Sequence, residues 1–163
     1  MLIVLRGNSG SGKSTVARLL QRKLPGPTAV LEQDYFHRVI LREQGTEGMA
    51  HAALIEAAAT HCLEAGHHVV LDGIFNARRY EGYLARVAER TEDARFYAFD
   101  LSFEETIRRH ATRPKVDQFD ADEMRAWYHG WQPLSFIAER PISAHESAEH
   151  AADRILREGP NPR

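Results

Sequence analysis

Residues 7–14 read Gly7-Asn8-Ser9-Gly10-Ser11-Gly12-Lys13-Ser14, a G-x-x-x-x-G-K-S segment close to the start of the chain. Its glycines tolerate positive φ and let backbone N–H groups converge on an anion that side chains would otherwise block. The flanks agree with this reading. Leu2-Ile3-Val4-Leu5 is a short apolar run suited to a buried parallel strand. Val16, Leu19, Leu20 and Leu24 then recur on one helical face. Strand, loop and helix thus follow in the order a phosphate-binding loop requires, with the first N–H groups of the helix aimed at the anion. In such a loop Lys13 reaches the β- and γ-phosphates and the Ser14 hydroxyl ligates Mg²⁺. Thr15 adds a contact near the α-phosphate. Gly7, Asn8, Ser9, Gly10, Ser11, Gly12, Lys13, Ser14 and Thr15 are therefore the expected nucleotide-binding residues.

Downstream, apolar strands alternate with amphipathic helices. Thr28-Ala29-Val30-Leu31 follows the Pro25-Gly26-Pro27 break, and further strands are expected at Val69-Val70-Leu71, at Phe96-Tyr97-Ala98-Phe99 and near Arg140-Pro141-Ile142. Leu54, Ile55, Ala58, Cys62 and Leu63 mark one helix; Tyr80, Leu84, Val87 and Ala88 mark another. Ser102 with Glu105, Asp120 with Glu123, and Ser143 with Glu146 have the spacing of helix caps. Alternating strands and helices imply a parallel sheet covered on both faces. The expected fold is a three-layer α/β/α P-loop fold with a five-stranded parallel sheet. It forms a single domain over residues 1–158 with a short lid near 109–119, followed by a frayed tail at 159–163.

Composition narrows the partners. At 163 residues with 43% hydrophobic residues, the chain can bury one core. No apolar run is long enough to span a bilayer and no signal peptide is apparent, so a cytoplasmic location without membrane contact is expected. A single cysteine, Cys62, excludes an internal disulfide, and its helix position reads as a small packing residue. The formal net charge of −2 argues against a general nucleic-acid surface but leaves room for a local basic groove.

Absences then sort the P-loop classes. There is no Asn-Lys-x-Asp segment for guanine. His68-Val69-Val70-Leu71-Asp72 resembles a Walker B strand, yet Gly73 follows where a motor ATPase carries a water-activating Glu. What remains is a small kinase, which needs a carboxylate on the acceptor side. Asp34 follows the second strand at the sheet edge and can orient an acceptor hydroxyl. Arg38, one turn on, can steady the acceptor or pair with Asp72, which closes the third strand. Asp72 can also hold a magnesium-bound water. Arg109 and Arg113 lie four apart on one helix face before Pro114. One suits stacking on adenine and the other neutralises charge on the transferring phosphate. Arg108 points away. His67-His68 sit on opposite strand faces and are read as structural. His110 is read as a surface residue, and Trp127, Tyr128 and Trp131 as packing residues.

These blocks resemble a known group. The phosphate loop with Thr15, the run Glu32-Gln33-Asp34-Tyr35, and Leu71-Asp72-Gly73-Ile74-Phe75-Asn76-Ala77-Arg78-Arg79 look like those of the zeta-toxin and polynucleotide-kinase-like small P-loop kinases of the AAA_33 type. The run from Phe99-Asp100-Leu101-Ser102 to Arg109 and Arg113 is similar too, and the likeness covers roughly residues 1–135. It implies acceptor-side roles for Asp72 and Asn76 and an adenylate-kinase-like lid carrying Arg109 and Arg113. In phage-type polynucleotide 5′-kinases an Asp-Asp-Tyr block supplies the base. Here one Asp is replaced by Gln33, and the arginine is Arg38, displaced by one position.

The expected activity is ATP- and Mg²⁺-dependent phosphate transfer to a hydroxyl of a small-molecule acceptor. Lys13, Asp34 and Arg113 are the catalytic residues, Arg109 contacts the nucleotide, Asp34, Arg38, Asp72 and Asn76 contact the acceptor, and Ser14 binds the metal. A 5′-hydroxyl polynucleotide acceptor is the first alternative, reached through Arg38, Arg42, Arg78 and Arg79. A non-catalytic nucleotide-binding module is the second.

Overall fold

A computed structural model describes residues 1–43, 48–110, 125, 128, 130 and 132–162, with Arg109 and His110 described in their backbone alone. Five strands form one parallel sheet in the order β2-β3-β1-β4-β5. They are β1 (Leu2–Gly7), β2 (Thr28–Glu32), β3 (His68–Gly73), β4 (Ala94–Phe99) and β5 (Arg140–Pro141). Around them run α1 (Lys13–Lys23), α2 (Gln33–Tyr35), a π turn (Phe36–Ile40), α3 (Ala50–Glu64), α4 (Ala77–Ala88), α5 (Phe103–His110) and α6 (Ala148–Arg157). The architecture is the α/β P-loop kinase-like fold expected from the sequence.

Strand alternation decides which helix covers which face. Ile3, Leu5, Val70 and Tyr97 pack with Val16 and Leu20 of α1 and Ala151 and Ile155 of α6. Leu2, Val4, Val69, Leu71 and Phe96 pack on the other face with Ile55 and Ala59 of α3 and Tyr80, Leu84 and Val87 of α4. The central strand β1 is buried along Leu2–Leu5 because both faces are covered. Among the described residues no helix is long and apolar enough to cross a membrane.

Three local expectations resolve differently. The Ser102 cap forms, its hydroxyl accepting from Glu105 N–H at 3.3 Å. Ser143 does not start a helix: α6 begins at Ala148, capped by Ser147, whose hydroxyl accepts from His150 N–H at 3.2 Å. Glu146 is instead engaged by Arg154, with N···O distances of 2.7 and 2.9 Å. The Asp120 cap lies outside the described residues. The tail is held rather than frayed through residue 162. Asn161 is buried, its Oδ1 accepts from Phe96 N–H at 2.9 Å, and its own N–H donates to Ala94 O at 3.0 Å. A short edge strand such as β5 leaves β4 groups that this tail can satisfy.

Candidate nucleotide and acceptor site

The loop between β1 and α1 takes the shape its glycines allow. Gly10 and Gly12 have φ of 82° and 102°, inside the left-handed region. Gly7 approaches β4 so closely that an added Cβ would stand 2.8 Å from Phe99 Cβ. α1 starts without a side-chain cap and without an acidic residue in its first turn. The helix N-terminus thus carries no side-chain cap or carboxylate that would compete with an anion. Lys13 is buried inside the curl of the loop, where its ammonium donates to Asn8 O at 2.9 Å and Ser11 Oγ at 3.3 Å.

Asp72 ends β3 beside the loop strand, in register with Leu5. It stands two residues after Val70, so its side chain is on the α1 face, the same side as the start of the P-loop helix. It is 3% exposed, and its Oδ2 has no hydrogen-bond partner among the described residues. A buried carboxylate oxygen without a donor is an acceptor site for a cation or for water bound to one.

Asp34 and Arg38 lie just beyond the end of β2, the strand that neighbours β3. Asp34 is on α2, directly after β2, and its side chain is 67% exposed. Arg38 Nε meets Asp34 Oδ1 at 2.6 Å. The expected alternative partner of Arg38, Asp72, is thus not the one it takes. The two acidic residues differ in burial: Asp72 is buried on the α1 face and Asp34 is exposed in α2. Asn76 caps α4, its Oδ1 accepting from Arg78 N–H at 3.0 Å. It also borders a shallow, solvent-open cleft lined further by Gly7, Asn8, Ile74, Asp100 and Gln132.

Two features of this cleft escape the sequence motifs. The first is Arg6, the only charged residue in β1. Its Nε donates to Phe75 O at 3.0 Å and its guanidinium to Gln132 O at 2.9 Å, and it pairs with Glu139. The two side chains are 7% and 1% exposed. A charge inside an apolar central strand is a signal in itself, because such a group needs a buried partner. The second is a hydrogen-bond chain that supports the loop after β3. Phe75 N–H donates to Gln33 Oε1 at 3.1 Å, so the Gln33 amide nitrogen faces the Tyr80 hydroxyl at 2.6 Å. Tyr80 in turn lies 2.6 Å from His51 Nε2, and His51 Nδ1 contacts the Glu43 carboxylate. Burial holds His51 below the usual imidazole range and raises Tyr80. Both groups are therefore neutral at pH 7.

This chain explains two backbone peculiarities. Phe75 has φ of 39°, a conformation that needs support in a bulky residue. Its N–H and C=O are both taken, by Gln33 and Arg6. Gly73 must be glycine for packing: a Cβ there would stand 2.5 Å from Gln33 Oε1 and 2.7 Å from the Phe75 ring.

The remaining sequence candidates divide. Arg108 turns away as expected and pairs with Glu105 at 2.8 Å. Tyr128 donates to Leu101 O at 3.1 Å and its ring meets Phe103 edge-on. His68 Nε2 meets Pro25 O at 3.0 Å, and no ligand cluster involves it among the described residues. Arg113, the rest of the lid, Trp127 and Trp131 lie outside the described residues, as do the side chains of Arg109 and His110.

Comparison with known proteins gives the family and the fold. Residues 2–129 match the AAA_33 family, described as "AAA domain". Among curated proteins, none matches the sequence. Among solved structures, the chain is similar to the Mycobacterium tuberculosis APS kinase CysC, determined in complex with AMPPNP and APS. The identity is 22% and the TM-score 0.73, over 95% of this chain and 94% of that one. It is similar to a gluconokinase from Sinorhizobium meliloti 1021 at 18% identity and TM-score 0.66, over 94% of this chain and 88% of that one. It is also similar to a chain of the Pnkp1/Rnl/Hen1 RNA repair complex, at 22% identity and TM-score 0.61, over 76% of this chain and 41% of that one. At these identities the likeness establishes the fold.

Proposed function

From the premise that the chain belongs to the AAA_33 family, we propose that it is an ATP-dependent phosphotransferase acting on a hydroxyl of a small molecule. One observation carries the reading. An uncapped, acid-free helix N-terminus wrapped by the phosphate loop shares a sheet face with a buried carboxylate, Asp72, whose Oδ2 lacks a partner among the described residues. That donor set fits Mg²⁺, with the Ser14 hydroxyl as ligand and Asp72 holding a bound water. When bound, the ion supplies charge neutralisation across the phosphates.

The chain's own residues do the rest. Loop N–H groups cradle the phosphates, and Lys13 exchanges its contact with Asn8 O for a phosphate oxygen. Asp34 accepts a hydrogen bond from the acceptor hydroxyl and aims its oxygen at the γ-phosphate, while Arg38 fixes the carboxylate. In a loose transition state the hydroxyl proton leaves late, so Asp34 needs position more than basicity. Arg109 and Arg113 enter by resemblance, on adenine and on the transferring group. Asn76 borders the acceptor cleft.

A small acceptor is favoured over a polynucleotide by charge. Of the four arginines that could form a basic track, Arg38 is engaged with Asp34 and Arg79 with Gly48 O at 3.4 Å. The net charge is −2. The test is a transfer assay with γ-labelled ATP and Mg²⁺ against sugars, nucleosides, antibiotics and a 5′-hydroxyl oligonucleotide. Transfer to a small hydroxyl compound is expected. Salt-sensitive labelling of the oligonucleotide alone would move the acceptor to nucleic acid. Binding of ATP with no transfer to any acceptor would reduce the chain to a nucleotide-binding module.

A further inference from the structure

Three side chains take no part in the reading above: His37 in the π turn, Glu43 just beyond it, and His51 in the first turn of α3. One ligand atom from each lies within 4.8 Å of the other two. The rings of His37 and His51 meet edge to face with centroids 4.8 Å apart, and the Glu43 carboxylate lies against His51 Nδ1. We propose that His37, Glu43 and His51 form a binding site for one borderline divalent transition ion, best suited to Zn²⁺, which clips the π turn to the start of α3.

The donor set selects the ion. Two imidazole nitrogens and one carboxylate oxygen suit Zn²⁺ or Co²⁺, whereas Mg²⁺ takes oxygen ligands. Bonds of about 2.0–2.2 Å in a tetrahedral arrangement put ligand atoms roughly 3.3–3.5 Å apart. Water completes the fourth position.

The surroundings are built for such a site. Glu43 N–H donates to His37 O at 3.0 Å, and Ala50 N–H donates to Glu43 Oε1 at 3.0 Å. The backbone thus holds two ligands in place, and the second carboxylate oxygen faces the histidines. With the ion on His51 Nδ1, the single imidazole proton sits on Nε2 and is donated to the Tyr80 oxygen 2.6 Å away. Tyr80 is fixed by Gln33, and Gln33 by Phe75 N–H. A ligand histidine oriented through its far nitrogen is the usual outer support of a metal site. The site is separate from the nucleotide chemistry, since Asp72 lies on the α1 face and Tyr80 packs on the α3 face.

The test reads metal binding and not activity. The chelator-stripped full chain is titrated with Co²⁺ and followed by visible absorption, then competed with Zn²⁺; Tm is measured with and without Zn²⁺. Saturable uptake near one ion per chain, displacement by Zn²⁺ but not by millimolar Mg²⁺, and a higher Tm with Zn²⁺ are expected. His37→Ala, in the partly exposed π turn, should keep its metal-free Tm and bind at least about tenfold more weakly; Tyr80→Phe should weaken binding by about the same factor. No saturable uptake, a Tm indifferent to Zn²⁺, or unchanged affinity in both His37→Ala and His51→Asn overturns the proposal and leaves a hydrogen-bonded cluster. None of these outcomes depends on whether phosphate is transferred.

Discussion

The phosphate loop and the cap of segments gathered around Gln33 and Asp34 are built differently. The loop takes its form from consecutive residues, Gly7 to Thr15, and holds Lys13 with its own Asn8 carbonyl. The cap is assembled from separate segments: Gln33 and Asp34 on α2, the π turn, Glu43, His51 on α3, the Gly73–Asn76 loop and Tyr80 on α4. The loop is a local device, set by residues adjacent in sequence. The cap depends on tertiary contacts between those segments. It also carries the exposed apolar residues Tyr35, Val39, Ile40 and Leu41.

If this division is right, variants on the two sides should separate kinetically. Asp34→Asn should lower kcat by roughly 10²–10⁴-fold while leaving ATP affinity in place. Undiminished turnover would remove Asp34 from the mechanism. Lys13→Met should lower turnover by roughly 10²–10³-fold and, unlike Asp34→Asn, weaken nucleotide binding measured by calorimetry. Intact ATP affinity in that variant would break the contrast from the other end.

Gly73→Ala tests whether the cap is a packed unit. Its Cβ would meet Gln33 and the Phe75 ring, so a stability loss of about 1–3 kcal/mol is expected, read as a lower Tm. Acceptor KM should rise while ATP affinity stays. The smallest effect concerns neither side. Tyr97 lies on the α1–α6 face, where burial and the hydrogen bond it donates to Glu158 at 2.6 Å push its pKa to about 12. The folded state therefore binds the phenolic proton more tightly than the unfolded chain, whose tyrosines titrate near ~10. This contribution is complete below about pH 10 and is lost as pH rises toward 12. Tyr97→Phe should show a shallower loss of stability across that alkaline window in urea titrations.

The legible parts were those with a local code. β1, the phosphate loop and α1 follow from one run of residues, and β1 to β4 follow from apolar segments bounded by turns, whereas β5 is only Arg140–Pro141. The cap at Ser102 was readable because its partner is three residues away. The cap at Ser143 was misread because Ser147 competes for the same helix, and only the Arg154 contact to Glu146 decides between them. Arg38 could have paired with either aspartate by spacing, and the fold puts it on Asp34. Asn161 looked like tail sequence, yet it satisfies β4 beside the short β5.

By itself the sequence determined the phosphate loop, the parallel sheet and the position of an acidic residue after β2 and at the end of β3. These depend on spacing along the chain and on the period of apolar residues, which neighbours in sequence fully specify. Only the tertiary structure decided that Asp72 is buried on the α1 face and Asp34 exposed on α2. It alone brought Arg6 to Glu139, and His37, Glu43 and His51 to one point. Those pairings join residues that share no period and no motif. They arise because each buried polar group must find a partner wherever the folded chain provides one.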